Sequence, residues 1–198
     1  MLNDFIESVT LDDIRNGKII LIDKPIEWTS FDVIKYIRKS IQTRLKVKKI
    51  KVGHAGTLDP LATGLLIVCI GKETKNISKY QDLSKKYTGI IKLGETTPSY
   101  DRETKIDGTY DYKHIDENKV LKISKTFIGK QKQFPPIYSA LKKDGKRMYK
   151  YAREKIEIEI KPRDIEIYNF KILSFSTPYI EFIIECSKGT YIRSIAND

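Results

Sequence analysis

The sequence is poor in the residues that build metal centres, disulfide frameworks and membrane spans. Of its 198 residues only two are cysteine, Cys69 and Cys186, and two histidine, His54 and His114. That stock does not readily assemble a structural zinc site. Both cysteines lie among apolar neighbours, so reduced, buried thiols and no metal are expected. The longest uninterrupted apolar stretch runs from Leu65 to Ile70, far short of the roughly 20 residues of a membrane-spanning helix. It reads instead as a core strand. Residues 1–7 are acidic and lack the basic and then apolar regions of a secretory signal. A cytoplasmic protein without membrane association is therefore expected. Missing as well are a Walker loop, a G-x-G-x-x-G after a strand and an H-E-x-x-H, along with internal repeats and low-complexity linkers.

What is present suits one globular domain with a real core: 23.0 kDa, 40% hydrophobic and 32% charged residues. Lysine and arginine number 37 against 26 acidic residues, a formal charge of +11 that points to a polyanionic partner. The excess is local. Residues 35–51 hold eight basic side chains (Lys35, Arg38, Lys39, Arg44, Lys46, Lys48, Lys49, Lys51) and no acidic one. Residues 142–155 hold seven basic against two acidic side chains. Tyr36 in the first segment, with Tyr138, Tyr149 and Tyr151 in or beside the second, gives a pattern compatible with phosphate contact and base stacking. A solvated helix face is the alternative.

Hydrophobic spacing sketches an α+β fold. Residues 18–22 read as a buried strand. Thr29 with Asp32 three residues on forms a capping box for a helix whose apolar residues are Val33, Ile34, Ile37 and Ile41. Further strands are predicted at 65–70, 86–93, 156–160, 164–175 and 179–186. A second helix runs from an Asp116 cap through Val120, Leu121, Ile123 and Phe127 to a stop at Gly129. Strands outnumber helices without strict alternation, which favours a mixed, mainly antiparallel sheet flanked by helices and loops.

The densest cluster of unusual residues is Val52-Gly53-His54-Ala55-Gly56-Thr57-Leu58-Asp59-Pro60-Leu61-Ala62-Thr63-Gly64, just before the most apolar strand. It holds one carboxylate, Asp59, which the following proline restricts to extended backbone. Such a loop would fix the carboxylate on the sheet. An Asp-Pro turn capping its own backbone is the bland alternative, and for His54 a hydrogen-bonded loop residue. Glycosidases usually need two carboxylates, phosphoryl transfer a metal or phosphate loop, and serine hydrolysis a nucleophile elbow. None of these signatures occurs. A lone aspartate could still break a glycosidic bond and let the same fragments rejoin.

The stretch Gly53-His54-Ala55-Gly56-Thr57-Leu58-Asp59-Pro60-Leu61-Ala62-Thr63-Gly64-Leu65-Leu66 resembles the catalytic motif of the bacterial tRNA pseudouridine synthase B (TruB) family. Supporting segments follow in the family's order: Leu21-Ile22-Asp23-Lys24-Pro25 with Trp28-Thr29-Ser30, Lys86-Tyr87, Tyr138-Ser139-Ala140-Leu141-Lys142 with Gly145-Lys146-Arg147, and Cys186-Ser187-Lys188-Gly189-Thr190-Tyr191-Ile192-Arg193-Ser194. The resemblance implies the pseudouridine synthase fold, no cofactor, and isomerisation of uridine 55 in the T loop of tRNA. It implies Asp59 as the essential aspartate, Tyr87 as the tyrosine stacking on the target base and Arg193 as the arginine pairing with the aspartate. His54 is placed near displaced T-loop nucleotides, Lys24 and Pro25 support the catalytic loop, and Tyr191 lines the pocket. Asp101 falls in a segment used around flipped-out bases, although a surface-loop acid is its commoner use. Residues 35–51 lead into the Asp59 loop, so this basic run is expected to flank the chemistry.

In the family the segment after Tyr-Ile-Arg continues as a helix, followed by a PUA-type RNA-binding module. Here the chain stops at Asp198, so residues 1–198 are expected to be a catalytic domain shortened at its C-terminal end and without the PUA-type module. The expected partner is the T stem-loop of tRNA, with no obligatory protein partner and a monomeric state. Two other readings remain open: a guide-RNA-dependent synthase, disfavoured by the Leu-Ala-Thr-Gly wording after Asp-Pro, and an RNA-binding or tRNA-chaperone protein with little catalysis.

Overall fold

The computed structural model describes residues 6–198; the first five residues of the N-terminal stretch read above lie outside the described residues. The chain divides into two compact units, Met1–Leu83 and Ser84–Asp198.

The first unit is a three-stranded antiparallel sheet backed by one long helix. Helix α1 (Leu11–Asn16) starts at a Thr10/Asp13 capping box and leads into β1 (Lys18–Lys24). Helix α2 (Ser30–Leu45) follows, then β2 (Val52–His54) and β3 (Gly64–Ile70), in the spatial order β1-β3-β2. A 3-10 turn at Gly71–Asn76 and helix α3 (Ile77–Gln81) close the unit. The Thr29/Asp32 box starts α2 as its spacing predicts, and Val33, Ile34, Ile37 and Ile41 are all buried. Their stripe packs on Ile20, Ile22, Leu66, Val68 and Ile70 from the inner face of the sheet. Burial of each such side chain is worth about 1.5–3 kcal/mol. Lys18 pairs with Ile70 at one end of the sheet and Lys24 with Gly64 at the other. Gly71, at φ +61°, allows the turn after β3 to press on α1, where a Cβ would lie 1.9 Å from the Ile14 carbonyl oxygen.

The second unit is built on a four-stranded antiparallel sheet of β4 (Lys85–Lys92), β7 (Gly129–Gln133), β10 (Arg163–Ser176) and β11 (Tyr179–Cys186). Their spatial order is β4-β11-β10-β7. Between β4 and β7 come the short pair β5 (Glu95–Thr96) and β6 (Gly108–Thr109), then helix α4 (Glu117–Thr126). Between β7 and β10 lie the hairpin β8 (Lys142–Lys143) and β9 (Lys146–Arg147) and helix α5 (Met148–Arg153). Helix α6 (Ile192–Asn197) follows β11. A separate core forms around Ile165, Ile167, Phe170, Phe182, Ile184, Cys186 and Ile195. Every strand pairing among the described residues is antiparallel, which agrees with the α+β reading.

Three local expectations change. Residues 156–160 form no strand. β10 begins at Arg163 opposite Gln133, where β7 ends, and beyond it Pro135 and Pro136 offer no N–H to continue the ladder. β7 itself has no counterpart among the expected strands, because Gly-Lys-Gln-Lys-Gln has no apolar residue. In α4 the buried face runs through Val120 and Ser124, with Phe127 just beyond packing on the second core. Leu121 and Ile123 are 37% and 50% exposed, because they turn away from that face. Cys69 and Cys186 are free and buried.

Candidate active site

In the first unit, the loop between His54 and Gly64 hangs from the Lys24–Gly64 end of the sheet. Its hydrogen bonds go mostly to residues 23–30. The Asp23 carboxylate accepts from Gly64 N–H at 3.0 Å. The Pro60 carbonyl accepts from Glu27 N–H at 2.8 Å and from the Lys24 ammonium at 3.2 Å. Ser30 Oγ accepts from Leu58 N–H at 2.9 Å and donates to the Leu58 carbonyl at 3.2 Å. Asp59 is thus half-buried between two pinned neighbours, and its own carbonyl accepts from Ala62 N–H at 3.1 Å in a turn.

Lys24 lies wholly inside the unit. Its ammonium also donates to the carbonyls of Pro25 at 2.8 Å and Trp28 at 2.5 Å. Burial pushes its pKa below the usual lysine value, and the negative charge of Asp59 opposes that shift. Lys24 therefore ties three carbonyls of the loop and its support to one charge, with its ammonium turned to protein. His54 Nδ1–H donates to the Gly56 carbonyl at 2.5 Å. Burial lowers the His54 pKa, with the Gly56 bond opposing.

In the second unit Tyr87 sits on β4 opposite Ile184 and packs partly on the second core. Arg193, in the first turn of α6, is held from two directions. Its Nη1 donates to the Ser99 carbonyl at 2.7 Å, its Nη2 to the Tyr138 carbonyl at 3.0 Å, and its Nε lies 3.6 Å from the Asp101 carboxylate. The Asp101 carboxylate accepts further from Ser99 Oγ at 2.6 Å and Glu103 N–H at 2.9 Å. Its side chain is only 18% exposed, so the surface-loop reading of Asp101 is corrected: a buried guanidinium beside it supplies the counter-charge that burial demands. Tyr191 caps α6, its N–H and carbonyl both bonded to the buried Gln133 side chain, at 2.8 and 3.0 Å. Ser194 Oγ donates to the Phe134 carbonyl at 2.8 Å. These bonds fix the turn that carries Arg193.

Sequence reasoning missed Ser30, Ser99 and Gln133 as supports. Ser30 could have been found: it is a polar residue in helical register with the apolar stripe of α2. Gln133 carries no comparable signal.

The basic segments also sit differently from their reading in sequence. Arg38, Lys49 and Lys51 line a concave surface with Arg15, Lys72 and Lys75. Lys51 leads into Val52, which pairs with Ile70, so this surface is at the end of the sheet opposite the Lys24–Gly64 pair, about 20 Å away at about 3.3 Å per residue. Adjacency in sequence does not make these three residues flank the Asp59 loop. In the second segment Arg153 lies over the Tyr149 ring at 5.3 Å and Lys146 over the Tyr151 ring at 4.6 Å. Tyr149 and Tyr151 thus each carry a cation of their own segment over one ring face.

A model of the TruB family pseudouridylate synthase (N terminal domain) matches residues 39–192, and the chain belongs to that family of pseudouridine synthases, isomerases that act on RNA. It is 48% identical over 186 residues to the tRNA pseudouridine synthase B of Parabacteroides distasonis, covering 94% of this chain and 79% of the relative. With the enzyme of that name from Flavobacterium johnsoniae it shares 48% identity over 191 residues, covering 96% and 83%. For Bacteroides fragilis the figures are 50% over 184 residues, covering 93% and 79%. Among solved structures, a chain of a Cbf5-Nop10-Gar1 complex superposes with a TM-score of 0.65 at 26% identity, over 96% of this chain and 46% of that one. A chain of an H/ACA RNP bound to a substrate RNA containing 2'-deoxyuridine matches at TM-score 0.61 and 23% identity, over 96% of this chain and 44% of that one, a likeness of fold.

Proposed function

We propose that this enzyme converts uridine 55 in the T loop of tRNA to pseudouridine, with Asp59 as its one catalytic carboxylate. The observation that carries the reading is the Asp59 loop: a single carboxylate, no second acid in the loop, and both flanking residues pinned to the same support. The names of the bacterial relatives support tRNA as the substrate.

The reaction breaks the bond from ribose C1′ to uracil N1, turns the freed base and joins C5 to C1′. The proton lost from C5 is matched by one gained at N1, so nothing is added or removed. Asp59 acts ionised, either by attacking C1′ or by taking the 2′ proton. The target base leaves the T-loop stack, and Tyr87 offers a replacement platform worth about 1–3 kcal/mol. His54 lies near the displaced nucleotides, Tyr191 lines the pocket, Lys24 holds the loop from beneath, and exposed lysines and arginines meet phosphates.

The test is conversion of a T stem-loop transcript. The parent is expected to convert it, and Asp59→Asn to bind with similar affinity while losing at least about a thousandfold in rate, as for loss of a covalent or acid–base group. Conversion by Asp59→Asn at the parent rate would remove Asp59 from the chemistry.

A further inference from the structure

We infer that Ser30 is a positioning residue for the Asp59 carboxylate, acting through the backbone of Leu58. The inference rests on the reading of Asp59 given above.

Ser30 is the first residue of α2, 2% exposed, and 28 positions from its partner. Its hydroxyl makes a reciprocal pair with Leu58, accepting from the N–H at 2.9 Å and donating to the carbonyl at 3.2 Å. A serine in a first turn ordinarily offers its oxygen to the free N–H groups of its own helix. Here the neighbouring box serves those groups instead. Thr29 Oγ1 accepts from Asp32 N–H at 3.0 Å, and the Asp32 carboxylate accepts from Thr29 N–H at 3.0 Å. The Ser30 hydroxyl is thereby released for the loop.

Ser30 also stands in helical register with Ile34, Ile37 and Ile41, at the loop end of the buried stripe. A polar group there must find a partner, and the partner is the residue next to Asp59. On the other side of Asp59, the Pro60 carbonyl is held by Glu27 N–H and Lys24. With Leu58 and Pro60 fixed and its own backbone restricted by the proline, Asp59 retains little beyond its side-chain torsions. Loss of the Ser30 hydroxyl frees one side of that frame while removing only a buried group.

The experiment compares the parent, Ser30→Ala, Ser30→Cys and Asp59→Asn for stem-loop affinity, single-turnover rate and thermal melting. Ser30→Ala is expected to slow the single-turnover rate on the order of 10- to 100-fold, the cost of a displacement of about 1 Å, with affinity within about twofold. Ser30→Cys, close in volume and a weaker hydrogen-bonding group, should fall between alanine and serine, and it carries the test if the alanine variant does not fold. A rate within twofold of the parent in the folded variant overturns the inference, as does a parallel loss of affinity and folded fraction. If Asp59→Asn is inactive while Ser30→Ala matches the parent, only the Ser30 role fails. A parent that converts nothing, or an active Asp59→Asn, overturns both.

Discussion

The Asp59 loop and the basic segment 142–155 are anchored in opposite ways. The loop is fastened through backbone groups to residues 23–30, which run from the end of β1 into the first residue of a helix whose stripe is buried against the sheet. The segment is a two-residue-strand hairpin turning at Asp144 and Gly145, both at positive φ, followed by a six-residue helix that buries only Met148. Its ion pairs are exposed ones, Lys146 with Glu154 and Arg153 with Glu103, and such pairs are worth about 0–1 kcal/mol each. Chemistry at one atom needs a carboxylate held to a fraction of an ångström. Contact with a polyanion needs charges that can exchange partners, and cations resting on Tyr149 and Tyr151 can leave them for phosphates.

The contrast can be tested by substitution on each side. The largest effect is expected from Ile37→Ala, which removes a fully buried side chain from the helix that carries the loop's frame. It should cost about 2–5 kcal/mol in a denaturant titration. A loss below about 1 kcal/mol would mean that the site collapses around the cavity and that the frame is loosely held.

Thr29→Ala should cost about 1 kcal/mol and make stability less sensitive to acid. The Asp32 carboxyl is held below its ordinary value of 3.8, chiefly by the Thr29 side chain and then by the Thr29 backbone. A carboxyl with a lowered folded-state pKa contributes stability above its unfolded value and loses it as pH falls through the folded one. The parent should therefore weaken below about pH 3.8, and the variant should show a shallower fall in melting temperature over the same range. Equal slopes would detach Asp32 from the cap.

The smallest effect is expected from Arg153→Ala. Stability should move by no more than about 0.5 kcal/mol, while the salt dependence of RNA binding should shrink by about one phosphate contact. A large loss of stability there would erase the contrast between the two regions.

Much of this was legible along the chain, for reasons that differ by residue. The Thr29/Asp32 box and the stripe Val33, Ile34, Ile37, Ile41 are local signals, because a helix's periodicity is written within its own residues. The Asp59 loop was legible because glycine, proline and a lone carboxylate concentrate in one stretch. β7 was invisible: a polar edge strand exists only through its partner, and β10 lies about 30 residues further on. Asp101 was misjudged for the same reason, since its burial depends on Arg193, far along the chain. Arg38, Lys49 and Lys51 of the basic run misled because a strand intervenes between sequence proximity and spatial proximity.

The sequence by itself determined the family, the α+β class, the helix bearing the buried stripe and the loop bearing the carboxylate, all consequences of short-range pattern and residue chemistry. Only the tertiary structure decided what holds that carboxylate's neighbours, which acid shelters beside Arg193, and to which end of a sheet the basic side chains point. Those depend on pairing between distant segments, and the burial of polar groups makes such pairing obligatory once the chain is folded.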